Sequence, residues 1–132
     1  VEEIMKKELT PRERKLLKKV RIKELMEVHS GLLTDREKRI LTLYSDPNLS
    51  GALIARRLNV SRQAIHDHVN RALAKMENCE SKMHLLVTRK KRYSILAELQ
   101  GVLESAESMA TGELLKKLKE IKKLVDKLSS VK

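Results

Sequence analysis

Phenylalanine and tryptophan are absent from this chain, and Tyr44 and Tyr93 are its only aromatic residues. Its core must therefore be aliphatic. A single-stranded nucleic-acid site, which relies on bases stacked on aromatic rings, is a poor fit. Glycine and proline are scarce, at four and two, and alternating β-branched runs are missing, so the expected fold class is all-α. Cys79 has no partner cysteine, which excludes an intramolecular disulfide and fits a reducing compartment. No apolar run approaches the roughly 20 residues of a membrane span. Residues 1–8, VEEIMKKE, are too charged for a secretory leader. The expectation is a cytoplasmic protein with no membrane partner.

What is abundant is positive charge. Twenty-nine Lys and Arg against eighteen Asp and Glu give a net charge of +11, a field that draws in polyanions. With 132 residues, 41% of them hydrophobic, there is room for one compact domain with an arm or tail. Enzymatic chemistry finds no support: there is no phosphate-cradling Gly-rich loop and no nucleophile elbow. The carboxylates read as helix caps and surface pairs. His29, His66, His68 and His84 raise the question of a metal. His66 and His68 diverge on a helix, and His84 stands five residues from the lone Cys79, which is not a zinc spacing. Neither metal nor cofactor is expected, and Cys79 reads as a small buried hydrophobe.

Two segments echo each other, LTPRERKLL at 9–17 and LTDREKRIL at 33–41. Each places Thr three residues before Glu (Thr10 and Glu13, Thr34 and Glu37), the capping-box signature of a helix start. Pro11 suits the first helical position. The first helix is expected from Pro11 to about Val28, with Leu16, Leu17, Val20, Leu25 and Met26 as its apolar positions and Gly31 as a C-terminal cap. A second covers Asp35 to about Ser45 and buries Ile40, Leu41 and Tyr44. SDPNLS is a loop by its turn chemistry. Ser50 then caps a short helix ending at Leu58, and Ser61 caps a long one carrying Ile65, Val69, Ala72, Leu73 and Met76 on one face. Another helix follows beyond Met83. After a break at Thr111 and Gly112, the last helix sets Leu114, Leu118, Ile121, Val125 and Leu128 in a two-heptad seam. That seam can pack onto its own domain or join two chains.

The stretch LNVSRQAIHDHVNRA, 58–72, meets the demands of a helix-turn-helix. Ala55 is small enough to let two helices approach, and Asn59 tolerates the left-handed backbone of a tight turn. Ile54, Leu58, Val60 and Ile65 form the wedge. If Ile65 and Val69 are buried, Arg62, Gln63, His66, Asp67 and Asn70 face outward. Arg62, Gln63, His66 and Asn70 are then candidates to read base edges. Arg56, Arg57, Arg71 and Lys75 are candidates to hold phosphate, and the capping Ser61 completes the set. Asp67 is unusual on such a face. It could accept from cytosine N4, pair with Arg71 four residues on, or meet a protein. Composition does not choose among these.

LLTDREKRILTLY followed by LSGALIARRLNVSRQAIHDHVNRAL resembles sigma-factor region four, and resembles still more the YlxM family of small bacterial helix-turn-helix proteins. LLT at 32–34, LY at 43–44 and VSRQAIHDHVNR at 60–71 carry the likeness, which extends from about Arg21 to Arg71. The resemblance places an acid at Asp67 as a family feature. The chain departs from the family at Leu53, usually Glu, and at His66, usually aromatic. The family's link to the signal recognition particle pathway, through operon neighbourhood with its GTPase, implies a regulator. Its partner would be duplex DNA, structured RNA such as signal recognition particle RNA, or the GTPase itself, on which this protein would act as a protein-binding adaptor. The expected layout is a helical N-terminal extension at 1–20, a helix-turn-helix core at 21–79, and C-terminal helices at 80–132 that serve a homodimer. RKKR at 89–92 either widens the phosphate-binding surface or is a solvated run.

Overall fold

The computed structural model describes residues 8–131. Residues 1–7, most of the charged stretch weighed above as a leader, lie outside the described residues. Six α-helices and one 3₁₀ turn, with no strand, make up the described residues: α1 Pro11–His29, the turn Ser30–Leu32, α2 Asp35–Tyr44, α3 Gly51–Leu58, α4 Arg62–Met83, α5 Leu85–Met109 and α6 Gly112–Ser129. They divide into two compact units between Leu86 and Val87.

Both capping boxes form. The Thr10 hydroxyl accepts from the Glu13 N–H at 3.2 Å while the Glu13 carboxylate accepts from the Thr10 N–H at 2.7 Å. Thr34 and Glu37 repeat the exchange at 3.2 and 3.0 Å. The carboxyl groups of Glu13 and Glu37 are both held below the usual carboxylate range, chiefly by those backbone N–H groups. Ser50 and Ser61 cap α3 and α4 in the same sense, accepting from Leu53 N–H at 3.2 Å and Ala64 N–H at 3.0 Å.

Two expectations for α1 fail. Gly31 is not a left-handed cap: among the described residues the positive-φ positions are Asn59, His84 and Gly112. Ser30 instead continues right-handed into a 3₁₀ turn, and its carbonyl takes the Leu33 N–H at 3.1 Å, so the carbonyls are satisfied by tightening. Leu16, Leu17 and Val20 are not core positions either, being 43%, 53% and 53% exposed. Residues 11–17 are all exposed. The buried stripe is Ile22, Leu25 and His29.

α4 is the central helix of the first unit and packs against α1, α2 and α3. Its Ile65, Val69, Ala72 and Met76 meet Ile22 and Leu25 of α1, Ile40, Leu41 and Tyr44 of α2, and Ile54 and Ala55 of α3 in one aliphatic core. Into this core runs one polar pair. His29 Nε2 lies 2.8 Å from Glu80 Oε1, both side chains almost wholly buried, and the same oxygen accepts the Leu86 N–H at 2.8 Å. Buried ionisable groups persist only when hydrogen-bonded in this way. His84 ends α4 with φ +52°, its N–H on the Glu80 carbonyl at 2.8 Å. Cys79 is half-buried, not fully buried as its residue type suggested; its Sγ lies 3.6 Å from Met83 Sδ.

The second unit is thinner. Leu96 and Leu103 of α5 and Val125 of α6 form its buried core, with Leu118 packed alongside. Of the anticipated seam, Leu118 and Val125 face inward, while Leu114, Ile121 and Leu128 remain 60%, 44% and 53% exposed. Polar links add to it: Lys122 Nζ lies 3.6 Å from Glu107 Oε2, and Gln100 Nε2 donates to Asp126 Oδ1 at 3.3 Å. On RKKR, Arg89 stacks over the Tyr93 ring at 5.3 Å, while Lys91 and Arg92 are exposed.

Candidate nucleic-acid interface

The turn between α3 and α4 is set by one backbone conformation. Asn59 adopts φ 55°, ψ 47°, and its N–H reaches the Ala55 and Arg56 carbonyls. Val60 N–H then bonds the Ala55 carbonyl at 3.0 Å, so the two last-turn acceptors of α3 are satisfied. Asn is one of the few side chains that enters the left-handed region at low cost. Ile54, Ala55 and Ile65 are buried and Leu58 and Val60 half-buried, as a wedge between the helices requires.

With Ile65 and Val69 turned inward, Arg62, Gln63, Asp67, Asn70 and Arg71 are exposed and His66 is half-buried on the opposite side of α4. Arg56 and Arg57 are exposed at the end of α3. Gln63 Nε2 donates to Asp67 Oδ1 at 3.0 Å, and Arg71 Nε reaches the Asp67 carbonyl at 3.3 Å, not its carboxylate. The acid that looked anomalous therefore orients Gln63 along the helix. One amide N–H and the carbonyl oxygen of Gln63 stay available.

Asn70 is also engaged. Lys18 of α1 donates to its Oδ1 at 2.8 Å, leaving the Asn70 NH₂ group outward. Lys18 and Lys19 both lie over the Tyr44 ring, at 5.7 and 5.1 Å, a cation–π arrangement. Burial pushes both ammonium groups below their ordinary range, and for Lys19 the neighbouring Lys15 adds to this while Asp46 opposes it. Lys75, a phosphate candidate by sequence, is instead paired with Glu37 at 3.0 Å and reaches the Leu32 carbonyl at 3.4 Å. It braces α4 against the capping box of α2. Arg21 likewise makes a two-pronged bond to Glu77, at 2.7 and 2.9 Å.

α1 therefore joins the face that the sequence assigned to α3 and α4 alone. Sequence reasoning passed over Lys18 because contacts spanning 52 residues leave no local pattern. Among the described residues no group of three or more His, Cys, Asp or Glu is placed to hold a metal ion. No described helix is long and apolar enough to cross a membrane.

Two helices wedged about a left-handed Asn, the second with a polar outer face, define a helix-turn-helix protein. The chain belongs to the UPF0122 family, whose model, described as "Putative helix-turn-helix protein, YlxM / p13 like", matches residues 16–121. Among its relatives, a UPF0122 protein of Halalkalibacterium halodurans is 35% identical over 103 residues, 78% of this chain and 92% of that one. A UPF0122 protein of Clostridium botulinum is 41% identical over 86 residues, 62% of this chain and 79% of its own. UPF0122 protein YofM of Lactococcus lactis is 33% identical over 104 residues, 79% of this chain and 89% of its own. No solved structure matches the chain.

Proposed function

We propose that this protein is a non-enzymatic cytoplasmic regulator that binds duplex nucleic acid through α4. The observation behind this reading is the burial split along α4: Ile65 and Val69 are enclosed while Arg62, Gln63, Asn70 and Arg71 project outward just after the Asn59 bend. In this reading the start of α4 enters a major groove. Arg62, Gln63, His66 and Asn70 read base edges, and Arg56, Arg57, Ser61 and Arg71 hold phosphates. The deep, narrow major groove of A-form RNA excludes such a helix, so the reading favours duplex DNA, with structured RNA held through its phosphates only. With three cationic phosphate contacts, from Arg56, Arg57 and Arg71, doubling the salt weakens binding roughly sixfold by counterion release. Replacing Arg62 and Gln63 by Ala with no effect on any duplex in a mobility-shift series removes the reading.

The likeness to YlxM proteins adds the signal recognition particle pathway, and with it a second reading: an adaptor on that pathway's GTPase. The exposure of Asp67 supports it, since it leaves a carboxylate on the outer face of α4. A pull-down with purified GTPase under nuclease separates the two, because an adaptor is retained and a nucleic-acid bridge is lost. Residues 80–132 supply the contacts of a homodimer in this scheme, an idea supported by the exposed Leu114, Ile121 and Leu128. Ile121→Lys with Leu128→Lys then halves the mass seen by sedimentation; an unchanged mass rules the seam out.

A further inference from the structure

Beside the outer face of α4 lies a groove of about 270 Å³, walled by α1, the loop between α2 and α3, and the first turn of α4. It falls below the roughly 300–1,000 Å³ of small-molecule pockets, so it suits a strand running past better than an enclosed ligand. Its charge is one-sided. Arg12, Lys15 and Lys19 of α1 line it from one side, and Arg62 and His66 from the other. Arg12, Lys15 and Lys19 stand at i, i+3 and i+7, a single face of α1.

One of these cations builds the groove and the others do not. Lys19 donates to the Asp46 and Leu49 carbonyls at 2.8 and 2.7 Å, which fixes α1 against the loop. The Asp46 carboxylate accepts the Asn48 N–H at 2.8 Å and is thereby folded into its own turn. Arg12, Lys15 and Arg62 make no ion pair with another described residue. The start of α3 opens on the same groove, where Gly51 keeps an N–H group that the Ser50 cap does not use. Like charges gathered from two helices, with a braced wall and no acid in the groove's lining, repel one another until an anion arrives.

We propose that this groove seats the backbone phosphates of duplex DNA, with Arg12 and Lys15 as the contacts that extend the α4 footprint onto α1. The inference rests on the duplex-binding reading of α4 and gives α1 a function that the helix-turn-helix alone does not supply. It accounts for why the first turns of α1 project from the core with every residue from 11 to 17 exposed.

The test is the salt dependence of binding to a mixed-sequence DNA duplex of about 25 base pairs, for the full chain and for Arg12→Ala/Lys15→Ala. Both residues are exposed on a helix and become Ala, so folding is expected to be retained, and circular dichroism checks it. The double variant is expected to lower the slope of log affinity against log salt by about 1 to 2, equally for every duplex sequence. An unchanged slope in the double variant, with Arg62→Ala still weakening binding, overturns this inference and leaves α4 as the reader. Loss of all duplex binding in the native chain overturns both. A change of slope seen with duplex RNA and not with DNA overturns the choice of DNA.

Discussion

The two units of this chain are both helical, yet they are held in different ways. The first gathers thirteen buried side chains from four α-helices, the segment at Leu33 and the start of α5 around one central helix. The second has three, from two helices. A residue in the first core is enclosed on all sides by other elements. In a two-helix hairpin each side chain has one partner helix and water beyond. The lesson is that similar hydrophobic spacing yields a rigid platform where a third and fourth helix close over it, and a stripe with exposed flanks where none does.

Truncation should expose that contrast most sharply. Leu41→Ala, wholly buried in the first unit, is expected to cost about 2–5 kcal/mol in chemical denaturation, because its cavity cannot collapse. Leu103→Ala in the second unit is expected to fall at or below about 2 kcal/mol, since its surroundings relax into solvent. Equal losses would break the comparison.

Next in size is the polar pair inside the first core. Glu80→Ala leaves both His29 Nε2 and the Leu86 N–H without their shared acceptor, at a cost of about 3 kcal/mol. Glu80→Gln keeps an oxygen there and should recover part of the loss. If both variants melt with the wild type, the pair does not stabilise the unit.

The Asn59 bend comes third. Asn59→Ala removes the short polar side chain that lets Asn hold the left-handed region at low cost and should cost about 1 kcal/mol, whereas Asn59→Gly should be close to neutral. Differential thermal melts of the two variants decide it.

The smallest effect concerns pH. Glu37 is held below the usual carboxylate range in the fold, first by the Thr34 N–H and secondarily by Lys75. A depressed folded value means that its contribution is present above the unfolded carboxylate range and is lost as pH falls through the folded one. Glu37→Gln should therefore lower stability by under about 1 kcal/mol near neutrality and flatten the acid limb of the stability curve. A parallel limb would show that the capping box does not titrate with folding.

How much of this was legible in the chain varies with the range of the interaction. The capping boxes at Thr10 and Thr34 and the serine caps at Ser50 and Ser61 join residues three apart, so their signatures stand in the sequence and form as written. The left-handed turn was readable from Asn59 for the same reason. α1 was read wrongly in phase: Leu16, Leu17 and Val20 are as apolar as Ile22 and Leu25, and only the bodies of α2 and α4 determine which side is covered. The exposed side of α4 follows from its helical period, with His66 half-buried, but the bonds on it, Gln63 to Asp67 and Lys18 to Asn70, carry no unambiguous sequence signature. The first competed with an equally well-spaced Arg71, and the second crosses between helices.

By itself the sequence determined the helix starts, the bend, the aliphatic core of α4 and the excess of positive charge, because each follows from near neighbours or from composition. Tertiary structure alone decided that His29 and Glu80 meet in the core, that Lys75 is committed to Glu37, and that the basic face of α1 lies along one wall of the groove beside Arg62. Those outcomes depend on which helix faces which, and packing, unlike capping, has no short-range code.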